Sequence, residues 1–224
     1  MAVIHRTTMN PTKLELLTSW LPSRPWYVAT GRAPELAKAG GFRLDDPQGE
    51  VGIEFMVVTD GSGDRAVSYH LPLTYRGAPL DGADEALVGT SEHGVLGKRW
   101  VYDGIHDPVF VERLLALLEG RAEPQAQSLT DTPDPSVTGR FDGVGLTAVS
   151  GPNAVADGPH GTELAVRTAD GGGAALTLAV TRVLRAQGSA EDGGRSRGEV
   201  TAEWQRPGGD RGRGAFVVVR ENAG

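Results

Sequence analysis

The sequence predicts an α+β fold: a curved antiparallel sheet with two flanking helices, followed by a smaller antiparallel β unit. Three observations predict it. Two segments, 11–21 and 108–119, carry leucines at helical spacing; the leucines of a third, 175–184, could also lie on a helix, but Thr177, Val180, Thr181 and Val183 favour a strand. Runs rich in β-branched and aromatic residues outnumber them and are separated by glycine-rich turns. A stretch with three prolines and many small polar residues, "RAEPQAQSLTDTPDPSVTG" at 121–139, divides the chain into 1–120, an irregular connection or linker, and a β-rich part at 140–224.

The first element is "NPTKLELLTSWL". Asn10 is expected as N-cap and Pro11 at the first helical position, where a missing N–H costs nothing. Leu14, Leu17, Trp20 and Leu21 then share one face, and Pro22 ends the helix. "VGIEFMVVTD" (51–60) and "AVSYHLPLTYR" (66–76), joined by "GSGDR", read as a β-hairpin. Pro72 makes the second strand an expected edge or bulge, and an exposed edge there would allow a homodimer. "EALVGTSEHG" and "GVLGKRWVYD" are two further extended pieces. Asp107 is the N-cap and Pro108 the first residue of a second helix, with Val111, Leu114, Leu115 and Leu118 as its buried stripe and Gly120 as its stop. Beyond residue 140, the segments 144–150, 162–169, 175–184, 199–206 and 215–221 read as strands of an antiparallel meander.

Composition narrows function. The chain has 224 residues, 39% of them apolar, and a net charge of −7. The charge divides as −5 over 1–128 and −2 over 129–224. Without a basic block, nucleic acid is not an expected partner. No cysteine is present, so disulfides, thiolate zinc sites and cysteine nucleophiles are excluded, in keeping with a cytoplasmic location. The first residues show no apolar h-region, and no apolar run approaches the roughly 20 residues that span a bilayer, so neither secretion nor a membrane is expected.

Motifs exclude more. There is no phosphate-binding loop; "DGGGAAL" at 170–176 is expected to be a turn. None of the five histidines pairs with another at metal-ligand spacing, so no metal and no cofactor is expected. Ser91 and His93 in "GTSEHG" lack a nucleophile elbow.

The strongest local cluster is aromatic and acidic. Trp26, Tyr27, Trp100 and Tyr102 fall in two short segments beside Asp103 and His106. Such groups stack on a sugar face while carboxylates accept its hydroxyls, and these six are the candidate ligand residues. They suit equally a packed core joining helices to the sheet. Asp103, His106 and Asp107 also form a candidate acid–base set for an unrecognised enzyme.

The same residues carry a resemblance. Trp20, Leu21, Arg24, Trp26 and Tyr27 resemble the "W-L" and "R-W-Y" opening of actinobacterial maltokinases, with Pro25 inserted. Tyr102, Asp103, Asp107, Pro108, Leu114 and Leu115 are similar to the family's "Y-D-x-x-x-D/G-P" run before a leucine-rich helix. Together they resemble the maltokinase N-terminal cap domain over roughly residues 10–120. No catalytic loop of the kinase body is found, so the resemblance implies a stand-alone cap-like protein and carries over no catalytic residue. It implies a non-catalytic interaction or regulatory role near trehalose, maltose and glycogen (α-glucan) metabolism, with an enzyme of that metabolism as partner. A sugar-binding module is the alternative.

Overall fold

The computed structural model describes residues 8–129, 131–143, 145–149, 154–168, 175–185 and 196–222. His5, the two end residues of the 144–150 strand and the glycines of the 170–176 turn lie outside these residues. Among the described residues the chain is α+β, mostly antiparallel sheet with two short α-helices.

The strands are β1 (Met9–Asn10), β2 (Leu36–Leu44), β3 (Gly52–Asp60), β4 (Val67–Arg76), β5 (Leu87–His93), β6 (Gly97–Asp103), β7 (Gln125–Ala126), β8 (Thr138–Phe141), β9 (Leu146–Ala148), β10 (Val155–Gly158), β11 (Gly161–Thr168), β12 (Ala175–Thr181), β13 (Ser196–Gln205) and β14 (Arg211–Glu221). The helices are α1 (Lys13–Trp20) and α2 (Pro108–Leu118). The sheet runs β1-β5-β6-β4-β3-β2-β13-β14-β12-β11-β10, with β7 on β2, β8 on β13 and β9 on β11. The C-terminal strands therefore continue the first sheet. They are not a meander, because β14 lies between β13 and β12.

The path also returns to its own middle. Residues 182–184 run on from β12 and pair with β4. The His70 N–H donates to the Arg182 carbonyl at 2.9 Å, and the Leu184 N–H donates to the Ser68 carbonyl at 2.8 Å. Tyr69 stands opposite Val183. Six strands, β4-β3-β2-β13-β14-β12, thus form a closed circuit. Two of its links are single pairs, Tyr69 opposite Val183 and Trp204 opposite Gly40.

This closure corrects the reading of Pro72. β4 is interior, flanked by β3 on one side and by β6 and residues 182–184 on the other. The His70 N–H points to Arg182, away from β3, and N–H direction alternates along a strand. Two residues on, the Pro72 nitrogen faces the same way, into the gap before the β6 pairing starts at Leu73. No ladder bond is lost there, so the proline is tolerated inside the sheet. The segment 66–76, whose exposure as an edge would have allowed a homodimer, is not an edge.

The first helix is capped by Thr12, not Asn10. The Thr12 side chain accepts from the Glu15 N–H, and Glu15 reaches back to the Thr12 N–H at 2.7 Å. Asp107 and Pro108 open α2 as the sequence predicts, and Gly120 closes it at φ +69°. The buried stripe of α2 is wider than expected. Phe110, Ala116 and Leu117 are buried along with Val111, Leu114, Leu115 and Leu118, because strands and loops enclose the helix on several sides. At Gly139 on β8, a Cβ would stand 2.4 Å from the Leu117 carbonyl oxygen, so only glycine lets strand and helix meet this closely.

Two hydrophobic clusters sort by the pleat of β3. Ile53, Phe55 and Val57 join the larger one with α2 and the C-terminal strands, so both halves of the chain share it. Met56 and Val58 join the second with Leu17, Trp20, Leu21 and Trp26. A strand covered on both faces loses its polar alternation, and Ile53–Val58 is buried without a break. Within the 121–139 connection, Gln125–Ala126 pairs with β2, and Val137 is buried in the larger cluster.

Candidate functional site

The signature stretch runs from β6 through a 3₁₀ turn, Gly104–His106, into α2. Its two carboxylates are both buried and both engaged. One Asp103 oxygen accepts the Ile105 N–H at 3.4 Å; the other accepts the Arg182 guanidinium at 2.6 Å. Asp107 accepts the Val109 N–H at 3.0 Å as the cap of α2. It also holds Arg76 through two bonds, Nε to Oδ2 at 2.6 Å and Nη2 to Oδ1 at 2.7 Å, the strong fork geometry of arginine on carboxylate. His106 is exposed, and no described hydrogen bond joins it to either aspartate.

The four aromatics do not form one surface. Trp26 is 1% exposed, its ring 5.8 Å from that of Trp20, with the Arg182 guanidinium 5.0 Å from its ring centre. Tyr27 is half-buried; it stacks on Tyr69 at 5.7 Å and donates its hydroxyl to Asp60 at 3.0 Å. Both belong to the cluster that contains Val101. Tyr102 and Trp100 belong to a third, smaller cluster with Leu80, Ala83 and Ala86. Neighbouring residues on a strand point to opposite faces, so β6 itself separates Trp26 and Tyr27 from Trp100 and Tyr102. The Tyr102 hydroxyl accepts the Leu80 N–H at 2.9 Å, and the half-buried Trp100 carries the Lys98 ammonium 5.0 Å from its ring centre.

The structure adds residues that the sequence reading passed over. Arg182 is fully buried. Besides Asp103, it donates to the Thr162 hydroxyl at 2.7 Å, and Thr162 in turn bonds Asp157. Its partners come from β6 and β11, so one guanidinium joins the N-terminal and C-terminal strands. The signal was present as a single charged residue in the apolar run "ALTLAVTRVL".

His70 is also fully buried. Its Nδ1 lies 3.1 Å from the Thr181 carbonyl oxygen, an acceptor, so Nδ1 carries the proton. The ring packs 5.9 Å from Phe55 and 4.4 Å from Phe216. Burial, with the neighbouring Arg182 charge, pushes its pKa down to about 3, so it is neutral at physiological pH.

A second polar group sits at the start of α1. Buried Glu54 accepts from Lys13 at 2.6 Å, from Gln127 at 2.8 Å and from the Tyr75 hydroxyl. Burial alone would raise its pKa. The Lys13 charge and the three hydrogen bonds outweigh burial and hold the carboxyl below its usual range. Burial and the Glu54 charge push the Tyr75 hydroxyl well above its ordinary value. Lys13, Tyr75 and Gln127 come from α1, β4 and the 121–139 connection, so this cluster ties three segments together.

Among the described residues, no group of three or more His, Asp or Glu could hold a metal ion. No helix among them is long and apolar enough to cross a membrane. An open cleft of about 750 Å³ lies along the β2–β13 seam, lined in part by Gly40, Asp134, Glu203, Trp204 and Arg211. None of the six candidate ligand residues lines it.

In this mostly antiparallel α+β framework, one signature opens at Trp20 and the other runs from Tyr102 at the end of β6 to Leu115 in α2. The maltokinase N-terminal cap domain matches residues 20–107 of this chain. That segment is cap-like; it begins at the first residue of one signature and ends within the other.

Proposed function

We propose that this protein is a non-catalytic interaction or regulatory module, built on a maltokinase-cap-like segment and acting beside an enzyme of α-glucan, maltose or trehalose metabolism. The observation that carries the reading is the fate of the signature's carboxylates. Asp103 and Asp107 are buried in ion pairs with Arg182 and Arg76 and cap the two turns that follow. A general acid or base must reach the proton it transfers, and these groups are committed to the fold. The cap-domain match supports the metabolic setting.

The test is direct binding. The full chain is immobilised and exposed to a purified maltokinase, trehalose synthase and maltosyltransferase from the same source. Saturable binding to one of them, with a change in that enzyme's kcat or KM, is the expected result. No binding to any of them, with the chain an inert monomer, overturns the reading. Turnover of maltose or ATP by the chain alone would overturn the non-catalytic part.

A further inference from the structure

We propose that Lys38 is an acylation site, and that it takes its acyl group from a small donor with an anionic leaving group, of the acyl-phosphate class.

The chain has three lysines, Lys13, Lys38 and Lys98, among its 22 basic residues. Arginine stays protonated, so these three carry the side-chain amines that can attack a carbonyl. Two of them meet at one buried carboxylate. Lys38 stands on β2 opposite Val58 of β3, and Glu54 lies four residues back along β3, on the same face. Glu54 is already committed: Lys13 at 2.6 Å, Gln127 at 2.8 Å and the Tyr75 hydroxyl hold its two oxygens. Lys38 donates to the Ser128 hydroxyl, at 3.4 Å, and forms no ion pair among the described residues.

Lys38 also lines the cleft at the β2–β13 seam, together with Asp134, Glu203 and Arg211. The two carboxylates there are engaged as well. Glu203 accepts from Arg211 at 3.2 Å, and Asp134 accepts the Ser136 N–H and hydroxyl at 3.0 and 2.7 Å. Lys38 is exposed, so a donor in solvent reaches it.

Charge bears on both the amine and the donor. Two ammonium groups beside one carboxylate leave an excess positive charge, which Lys38 relieves by shedding its proton. Loss of water around its ammonium, with the Lys13 charge, outweighs the Glu54 charge and holds its pKa below the ordinary lysine value. The neutral amine is the nucleophile in acyl transfer. The same excess charge attracts an anionic donor, whereas an uncharged aldehyde gains nothing from it.

In the step, the lone pair of the Lys38 Nζ adds to the acyl carbon. The bond from that carbon to the phosphate oxygen then breaks. Phosphate leaves with the electron pair, and the proton on nitrogen passes to water. An amide replaces the amine, and the cleft loses one positive charge.

The test treats the full chain with acetyl phosphate near neutral pH and follows each lysine by mass spectrometry. Lys98 is the internal control: it too is exposed, but it stands opposite Glu92. Lys38 should be acetylated at least fivefold faster than Lys98 in the folded chain, and at the same rate in guanidinium chloride. Its preference should be smaller with N-acetoxysuccinimide, an uncharged donor, and the gap between the two donors should shrink at high salt. Lys13→Arg keeps the neighbouring charge and should leave the Lys38 rate unchanged. Lys13→Gln, checked for folding by circular dichroism, should slow it several-fold. Equal rates at Lys38 and Lys98 in the folded chain overturn the site. A preference that survives denaturation overturns it too, because the local sequence would then be its source. Equal preference with both donors overturns the choice of donor, and a slowed rate in Lys13→Arg overturns the role of the Lys13 charge.

Discussion

Arg182 and Leu96 break the usual arrangement of a folded chain in opposite directions, one a charge with no exposure and the other an aliphatic side chain 46% exposed. The interior charge costs the fold a great deal unless it is paired, so Asp103, Thr162 and the Trp26 ring are gathered around it, leaving Nη1 without a hydrogen-bond partner. The exposed leucine costs the fold almost nothing, so only its backbone is held. The first arrangement joins the two halves of the chain, and the second leaves the fold nearly untouched. Substitutions at the two places should differ sharply in their effect on stability.

The largest effect belongs to Arg182. Replacement by methionine leaves Asp103 buried with no countercharge, and stability should fall by about 3–5 kcal/mol. Replacing both, as Asp103→Leu/Arg182→Met, should recover much of that loss, because a buried ion pair is often matched by apolar groups of similar volume. Urea unfolding of both single variants and the double variant gives the coupling directly. A double variant as unstable as the sum of the singles would show that the two groups act independently.

Asp107 should come next. It caps α2 and holds Arg76, but the Arg76 side chain keeps 20% of its exposure and regains water when released. Asp107→Ala loses both cap and pair, and should cost about 2 kcal/mol. Asp107→Asn keeps an acceptor for the Val109 N–H and should cost roughly half as much. For a chain of this size, 2 kcal/mol corresponds to a drop of about 4–8 °C in Tm.

How much of this was legible follows the range of each interaction. The β3–β4 hairpin, the Asp107 cap and Gly120 depend on neighbours within a few residues, and the sequence shows them. The capping box at Thr12 and Glu15 was equally local, yet Asn10–Pro11 offered a competing start two residues earlier. Pairing of β4 with residues 182–184 joins positions more than a hundred apart. Nothing near Pro72 reports it, so an interior strand reads as an edge. The all-round burial of α2 was half visible, since only Glu112 and Arg113 interrupt its apolar run. In the candidate site, pleat alone decides which side chains meet. Trp100 and Trp26 read as one cluster because they are rich in the same chemistry, and β6 places them on different faces.

An effect of about the same size, roughly 2 kcal/mol over 1.5 pH units, depends on pH. His70 has a folded pKa of about 3, against an ordinary value near 6.5. The unfolded chain therefore takes up this proton first as pH falls. Stability contributed by the neutral, buried ring is complete above pH 6.5 and is lost progressively below it, at up to about 1.4 kcal/mol per pH unit. Glu54, with its lowered pKa, acts in a different window: its contribution is present above about pH 4.5 and is lost only as pH falls further. Between pH 6.5 and 5 the His70 contribution should therefore be separable. His70→Phe should flatten the stability profile there and leave the steeper loss below pH 4.5. An unchanged slope would place the proton uptake on another group.

The smallest effect on stability is expected at the tip of the β5–β6 hairpin. Val95→Ser/Leu96→Ser removes side chains that bury little area, and leaves the His93 and Arg99 bonds to the backbone in place. Its unfolding free energy should lie within about 0.5 kcal/mol of wild type. His93→Ala should likewise leave the global midpoint nearly unchanged, because the turn is at the surface. It should, however, release the Val95 and Leu96 N–H groups, so that their amide exchange quickens while that of β6 does not. A large loss of stability in either variant would mean that the tip is packed into the fold after all, and the contrast with Arg182 would collapse. Slow exchange of both amides in His93→Ala would mean that the turn is held by its own backbone geometry, with the histidine an adjunct to it.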